Sequence, residues 1–430
     1  MTQTPWGATE TLGTRARLYS AAVTVVAQKG ASAATVADIL EVAGLSRATF
    51  YKHFPDKRSC LLATIDALAE GAGARIAAEL AGEAPWELRL RGALDALCVQ
   101  IAAYPAAARL CLVDLWALGP AAIERNEGVI AQLEAPFRQV LDEDRAHAGM
   151  PIEVTRAIVG GIYKTVHGRL RRGEQETLAP LAGAICAWGI AYEPPPAPIR
   201  RPRPTGAPGL AGPQFAAHGP SGRLFAACVA EVSERGYAAV TVDDLARRAQ
   251  MSLRTLYSLF DGGKEEILLA TYDAGVAQGN AVAIPAYERH DSWPDAVRAA
   301  LEALLTYLSG DPAWARMSIV ETLAGGERAM ERSDRVIDSY AALLEPGLER
   351  NPGLEPIALE ATAGAVYTLV YQQVLGDPKR LCTILPLCTY VALAPFVGRD
   401  EALAVANGGG RAARRPGATN GREASEPSAR

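Results

Sequence analysis

A long internal repeat constrains this chain more than any other feature of its sequence. Residues 17–54 align without gaps with residues 223–260, and 15 of the 38 positions are identical. The similarity resumes where YPAAARLCLVDLWALG (104–119) matches DPAWARMSIVETLAGG (311–326). A repeat of this length means that one structural plan is used twice. The 430 residues therefore form two similar halves, each long enough to bury its own core.

The composition indicates helices in both halves. Alanine and leucine are abundant, aromatic residues make up 6% of the chain, and runs rich in valine, isoleucine and threonine are few. This pattern predicts an all-α fold. The sequence has no apolar run of about 18 residues, which a bilayer requires, and no apolar segment behind a basic N-terminus. We expect a cytoplasmic protein that does not enter a membrane.

The reactive residue types form no pattern typical of an enzyme or a metal site. The seven cysteines include no C-x-x-C pair, and the five histidines are not spaced as ligands. Glycine-rich phosphate-binding loops and nucleophile-elbow motifs are also missing. The cysteines are predicted to be buried thiols. We expect no cofactor, no metal and no enzymatic activity.

The repeated segment predicts a pair of short helices in the first half. A first helix ends at Gly30, where a positive φ suits glycine. Thr35, three residues before Asp38, begins a second helix with a capping box, and Gly44 ends it. Ser46 then caps the stretch RATFYKHF. Two short helices joined by a turn that contains glycine form a helix-turn-helix.

The second helix of this pair has an outer face suited to DNA. Phe50 and Phe54 lie four positions apart and must face the core, which turns their neighbours outward. Residues 14–66 carry seven Lys and Arg against four Asp and Glu, although the chain's net charge is −5. Small, hydroxyl and basic side chains on such a face can contact bases and phosphates. The predicted DNA-binding residues are Thr35, Ser46, Arg47, Ala48, Thr49, Tyr51, Lys52, His53 and, as a phosphate contact on the next helix, Lys57.

The spacing of these residues resembles the DNA-binding domain of the TetR (tetracycline repressor) family of transcriptional regulators. The resemblance rests on Thr35, the Ala43–Gly44 turn, Ser46, the Phe50–Tyr51 pair and Lys57. It implies a subunit of about nine helices, three for DNA binding and six for ligand binding and dimerisation. It also implies that a small effector releases operator DNA.

The second copy keeps the buried positions but changes the surface. Leu253, Ser258 and Leu259 replace Arg47, Lys52 and His53, and Gln250 replaces the turn glycine. An extra residue in FDGGKEE is expected to displace Lys264, and residues 220–273 carry six Lys and Arg against eight Asp and Glu. We therefore expect weaker or different DNA contact. Its candidate residues are Thr241, Ser252, Arg254, Thr255, Tyr257, Ser258 and Lys264.

Longer amphipathic segments follow each helix-turn-helix and predict pocket-forming helices. The last two helical segments of each half are apolar around most of their circumference, so they must be covered. In the family such a pair packs against the same pair of a partner, which here can be the other half. Gly160 and Gly161 are expected opposite Gly364 and Ala365. The predicted lining of an apolar or amphipathic effector pocket is Leu97, Ile101, Tyr104, Leu112, Leu115 and Trp116 in the first half and Tyr307, Trp314, Met317 and Glu321 in the second.

Prolines and composition shifts mark the expected domain boundaries. A proline-rich linker at 193–219 separates the halves, and its arginines are expected to keep it soluble. The expected DNA-binding domains are 14–66 and 220–273, the ligand-binding and dimerisation domains are 67–192 and 274–398, and 399–430 is a disordered tail.

Two functional hypotheses remain open from the sequence. In the first, the chain is a ligand-responsive repressor that acts as a single-chain pseudo-dimer of two TetR-like units. In the second, the second copy does not bind DNA and serves as a sensor or dimerisation half, and two chains pair to bind a palindrome through their first copies.

Overall fold

The computed structural model describes residues 13–202, 212–215 and 219–408, and the secondary structure of these residues is helical without strands. The predicted all-α fold is confirmed. Part of the proline-rich segment, including Arg203, lies outside the described residues. One helical stretch, Pro378–Val397, is long and apolar enough to cross a membrane, and 67% of its most apolar window is buried inside the protein.

The described part of the first half contains nine α-helices. Short 3-10 helices at Asp114–Leu118 and Gln175–Thr177 lie between them. The α-helices are α1 (Thr14–Ala33), α2 (Val36–Ala43), α3 (Arg47–His53), α4 (Lys57–Leu80), α5 (Trp86–Ala103), α6 (Pro105–Leu112), α7 (Pro120–Leu141), α8 (Ile152–Arg171) and α9 (Leu178–Ile190).

Within the residues that the structure describes, the second half repeats this order and adds two short helices. Its 3-10 helices span Tyr237–Ala239, Glu321–Gly325 and Pro378–Ile384. The α-helices are α10 (Gly219–Arg235), α11 (Val242–Arg248), α12 (Leu253–Leu259), α13 (Gly263–Glu288), α14 (Trp293–Gly310), α15 (Pro312–Ile319), α16 (Glu327–Ala342), α17 (Pro346–Arg350), α18 (Ile357–Gly376), α19 (Leu385–Val397) and α20 (Arg399–Ala406).

The prediction of a disordered tail is wrong for its first residues, because Arg399–Ala406 form the ordered helix α20. Ala402, Leu403, Val405 and Ala406 are buried, and the helix packs on α19 and α14. These apolar residues recur at helical spacing and cover the apolar surface of α19. Residues 409–430, the rest of the expected tail, lie outside the described residues.

The two halves pack on each other through α8 and α18. A Cβ added at Gly161 would lie 2.5 Å from the carbonyl oxygen of Ala361 and 2.6 Å from the Trp188 ring, so only glycine fits there. A Cβ at Gly160 would lie 2.4 Å from the Thr368 side chain. The glycines thus allow the two helix backbones to approach closely, at the positions that the sequence indicates.

Buried hydrogen bonds also cross between the halves. Trp188 Nε1 donates to Thr362 Oγ1 at 2.8 Å, and the Tyr192 hydroxyl donates to the Val391 carbonyl at 2.8 Å. The Tyr390 hydroxyl donates in the opposite direction, to the Glu193 carbonyl at 2.6 Å. Polar groups of α9, of Tyr192 just after it and of α19 are therefore satisfied by the other half, as a buried interface requires.

Ion pairs surround this packing. Arg171 binds Asp334 at 2.7 Å, and Arg169 binds Glu360 at 3.0 Å. The proline-rich segment is held nearby, because the Arg200 backbone N–H donates to Asn407 Oδ1 at 2.8 Å and Arg201 pairs with Glu153. The linker therefore lies against the folded protein at Arg200 and Arg201.

Candidate functional site

The α2–α3 pair has helix-turn-helix geometry set by local caps. Thr35 caps α2 in a complete capping box with Asp38, and Lys29 reinforces it through a 2.6 Å contact with the same carboxylate. Gly44 ends α2 with φ 61°, a left-handed conformation that favours glycine. The Ser46 hydroxyl then accepts the Thr49 N–H at 3.1 Å and starts α3.

Helix α3 buries one aromatic face and exposes the opposite one. Phe50 and Phe54 are buried, and their rings lie 5.9 Å apart. Tyr51 packs edge-on against Phe50 yet remains 56% exposed. The exposed positions also include Arg47, Ala48 and Lys52, and Thr49 and His53 are half-buried. The structure thus brings the predicted small, hydroxyl and basic residues together on one accessible face.

Lys57, predicted to contact a phosphate, is hydrogen-bonded within the protein in this structure. Its Nζ donates to the backbone carbonyls of Ala31, Ser32 and Ala34 at 2.7–3.0 Å. An ammonium group has three donors, so all of them are used within the protein. Lys57 therefore closes the C-terminal end of α1 and ties it to α4.

The second helix-turn-helix has the same backbone caps. Thr241 and Asp244 form the capping box of α11, and Ser252 caps α12 by accepting the Thr255 N–H at 3.1 Å. Gln250 occupies the turn with φ 53°, and among the described residues it is the single non-glycine with positive φ. A left-handed residue with a Cβ is strained. This strain is expected from the sequence, because Gln250 replaces the glycine that the first copy has in this turn.

The outer face of α12 is accessible but less basic than that of α3. Arg254, Thr255, Tyr257 and Ser258 are exposed, together with the apolar Leu253 and Leu259 at 40% and 38%. The Ser258 hydroxyl donates to the Thr255 carbonyl at 2.7 Å. Three further arginines of this domain pair with its own carboxylates, which reduces their positive potential; they are Arg235 with Asp244, Arg247 with Asp244, and Arg248 with Glu234.

The expected displacement of Lys264 is wrong. Its Nζ donates to the Tyr237 carbonyl at 2.9 Å, the position equivalent to Ala31, and lies 4.2 Å from the centre of the Tyr237 ring. Gly263 has φ 67° and begins α13, so the glycine pair absorbs the extra residue. Lys264 therefore closes the end of the preceding helical turn, as Lys57 does.

A large apolar cavity lies in the first half, among α4, α5, α6, α8 and α9. Its volume is about 520 Å³, and its wall includes Leu97, Ile101, Tyr104, Leu112 and Leu115. Trp116, also expected there, does not line it, because its ring turns away and packs edge-on against Tyr371 of the other half. Adjacent residues of a short 3-10 helix point in different directions, which helical spacing alone does not reveal. We call this space the core cavity.

The corresponding space in the second half has a volume of about 150 Å³. Tyr307 and Trp314 line this space, and their rings reduce its volume. The Trp314 ring lies 2.2 Å from where a Cβ of Gly275 would be, and the Tyr307 hydroxyl donates to the Gly275 carbonyl at 2.8 Å. Aromatic side chains thus fill the volume that stays open in the first half.

Two residues expected in this second pocket lie elsewhere. Met317 is fully buried but points away from the cavity. Glu321 accepts the Tyr237 backbone N–H at 3.2 Å, and burial raises the pKa of its carboxyl group. Glu321 therefore joins the second helix-turn-helix to the helices behind it, a role that its apolar sequence neighbours do not indicate.

The core cavity is close to the first helix-turn-helix. Ala107 and Cys111 of α6 form part of its wall, and α6 packs directly on α1. The same 3-10 helix that carries Leu115 also contacts α1. A change in the shape of the cavity can therefore reach the DNA-binding helices through one layer of packing.

Comparisons with known proteins identify the paired helices. Residues 18–64 and 224–271 each match the bacterial regulatory proteins of the tetR family. These matched segments contain α2–α3 and α11–α12 with their caps. No curated protein matches the chain.

Solved structures similar to the chain cover about two fifths of it. FadR of Bacillus subtilis in complex with stearoyl-CoA is 17% identical over 40% of this chain and 96% of its own, with a TM-score of 0.37. FadR of Bacillus halodurans is 18% identical with the same coverage and a TM-score of 0.38. A tetR-family protein of Rhodococcus RHA1 is 23% identical over 41% of this chain and 96% of its own, with a TM-score of 0.36. Each half of the chain thus contains a helix-turn-helix domain of the tetR family of bacterial regulatory proteins, and the chain carries two TetR-like units in tandem.

Proposed function

We propose that the chain is a ligand-responsive transcriptional repressor of the cytoplasm that acts as a single-chain pseudo-dimer. The packing of α8 on α18 carries this proposal, because it covers within one chain the apolar helices that otherwise need a second subunit. The domain boundaries inferred from the sequence belong to the same proposal, with the second ligand-binding domain extended to the end of α20.

The first helix-turn-helix is proposed as the stronger DNA-binding domain. Arg47 and Lys52 are exposed on α3 and are suited to base and phosphate contacts, and Tyr51 and Thr49 supply hydroxyl groups. Ser46 and Thr35 contribute by capping the helices that carry these groups. The small Ala48 side chain lets DNA approach α3 closely, and His53 extends the polar face of that helix.

The second helix-turn-helix is proposed to contact DNA more weakly through Arg254, Thr255 and Tyr257. Leu253 and Leu259 offer no charge to phosphates, and affinity grows with the number of phosphates neutralised. Because the two reading helices differ, we expect an asymmetric operator.

The effector is proposed to be one apolar or amphipathic small molecule per chain, bound in the core cavity. Its volume and its apolar lining fit such a ligand, whereas aromatic rings occupy the second space. Effector binding would shift α6 against α1, alter the position of α3 and weaken DNA binding.

Two lysines of the first helix-turn-helix domain are expected to have different roles: Lys57 stabilises the fold, and Lys52 contacts DNA. Lys57→Met removes hydrogen bonds to three carbonyls, so we expect thermal or urea unfolding to show a loss of about 1.5–3 kcal/mol. Lys52→Met changes an exposed side chain, and we expect stability within about 0.5 kcal/mol of the parent. The slope of log affinity against log salt should fall by about one for Lys52→Met. The assignment fails if Lys57→Met is the variant with the smaller salt slope and normal stability.

The effector proposal is tested with N-phenyl-1-naphthylamine, an uncharged apolar probe without an acid group, by titration calorimetry. We expect one probe per chain and at least about tenfold weaker binding in the double variant Leu97→Trp, Ile101→Trp, because the added rings occupy the core cavity. Val99→Trp is the matched control, since Val99 lies on the exposed face of the same helix. Unchanged binding by the double variant would place the effector site elsewhere.

A further inference from the structure

A second cavity, of about 460 Å³, lies where α7 and α8 of the first half meet α18 of the second. We call it the junction cavity. Its wall includes Trp116, Lys164, His167 and Tyr371. Tyr163 forms part of the wall of both the junction cavity and the core cavity, and the two spaces otherwise have different linings.

Aromatic pairs from both halves form the walls of the junction cavity. On α8, Tyr163 stacks on His167 with ring centres 6.1 Å apart, and at the equivalent repeat positions of α18 Tyr367 stacks on Tyr371 at 6.3 Å. Trp116 meets Tyr371 edge-on at 6.2 Å. The ring faces and edges that these residues present to the cavity can stack on, or meet edge-on, a planar aromatic guest.

The junction cavity also contains polar atoms that the protein leaves without partners. Both ring nitrogens of His167 and the hydroxyl of Tyr371 are buried and make no hydrogen bond, and these side chains are only 2% and 8% exposed. Buried polar groups almost always have partners, and each exception needs an explanation. One donor or acceptor from each half is therefore available to a bound molecule.

The charge in this cavity favours an acid. Lys164 lies 3.8 Å from Asp334, whereas Arg171 already holds that carboxylate at 2.7 Å, so Lys164 is the more weakly paired cation. Burial lowers the pKa of Lys164, so a neutralising partner would stabilise its charge. Arg156 is paired with Glu134 at 2.6 Å. Glu127, the further carboxyl group of the wall, has a pKa raised by burial, and the nearby cation that acts on it is Arg156.

We propose that the junction cavity binds a planar aromatic acid, with the ring between the two aromatic pairs and the acid group at Lys164 and His167. A phenolic or indole edge of the same molecule would reach the Tyr371 hydroxyl. The proposal does not depend on the function proposed above, because it concerns a different cavity. Since the walls come from both halves, the bound acid stabilises the packing of α8 on α18.

Titration calorimetry of the full chain with 4-hydroxybenzoate and indole-3-acetate tests this proposal, with 4-hydroxybenzamide as the uncharged control. We expect one acid per chain and about tenfold weaker binding of the amide, the effect of losing one charge-assisted contact. Lys164→Met should remove the preference for the acid over the amide. Tyr371→Phe keeps the ring and the fold, and should weaken binding of 4-hydroxybenzoate about five- to tenfold.

The core-cavity double variant Leu97→Trp, Ile101→Trp is the control for location and should bind the acids as the parent does. The proposal is overturned if neither acid shows saturable binding. It is also overturned if Tyr371→Phe and Lys164→Met both bind 4-hydroxybenzoate like the parent, or if the core-cavity variant loses it. Should Lys164→Met fail to fold, Tyr371→Phe alone decides, since it removes one oxygen that has no partner in the protein.

Discussion

Gly161→Ala is expected to lower the free energy of unfolding by about 2 kcal/mol or more, because an added methyl group overpacks a tight interface. The new Cβ would lie 2.5 Å from the Ala361 carbonyl oxygen, and a backbone atom cannot turn aside as a flexible side chain can. Helices α8 and α18 would have to separate. Thermal and urea unfolding of the full chain measure the effect.

Gly128→Ala is the matched control for this change. Gly128 lies within α7, and an added Cβ there meets nothing within 4 Å. Alanine is the better helix former by up to about 1 kcal/mol, so we expect unchanged or higher stability. If Gly161→Ala stabilises the protein as Gly128→Ala does, the close packing of the two halves is contradicted.

Tyr51→Ala is expected to weaken operator binding by about 10- to 100-fold, since a DNA contact at a reading helix contributes on the order of 1–3 kcal/mol. Tyr51 is 56% exposed, so its removal should leave the melting temperature nearly unchanged. The equivalent change Tyr257→Ala, at 48% exposure, should cost less than about fivefold, because fewer charges surround it on α12.

Binding of both variants is measured on the DNA sequence that the parent protein selects from a random pool. Equal losses for the two variants would show that the two helix-turn-helix domains contribute alike. No loss for Tyr51→Ala, with unchanged salt dependence, would remove α3 from the DNA interface.

The parts of the structure that the sequence predicts well are those that local chemistry determines. The Thr35 capping box, the Gly44 turn and the buried Phe50 depend on neighbours within four residues, so their spacing is sufficient to place them. The strained Gln250 follows from the same reasoning, because the first copy shows what the turn requires. The all-α fold and both helix-turn-helix pairs are confirmed for this reason.

Features that depend on distant partners are predicted poorly. Lys57 and Lys264 look like phosphate ligands in the sequence, but carbonyl groups 23 to 27 residues away use their charge. The tail helix α20 needs the apolar surface of α19 to be stable, which a local reading does not include. A long-range acceptor or a docking surface becomes visible only when the chain is folded.

The difference in volume between the core cavity and the corresponding space in the second half also depends on residues distant in sequence. Trp314 and Tyr307 appear in the sequence as pocket-lining aromatics, and both do border a cavity. The Trp314 ring packs on Gly275 and the Tyr307 ring on Gly279, and the volume of these rings leaves a cavity of about 150 Å³. Composition shows which side chains lie inside, and only packing shows how much space they leave.

The central claim is that one chain supplies both DNA-binding domains of a functional unit. Sedimentation analysis of the protein, free and bound to its selected DNA, tests it most directly. We predict one 45.4 kDa chain in solution and one chain on an asymmetric site. Two chains on a palindromic site, with affinity unaffected by Tyr257→Ala, would contradict the single-chain pseudo-dimer and favour a homodimer that binds through its first copies.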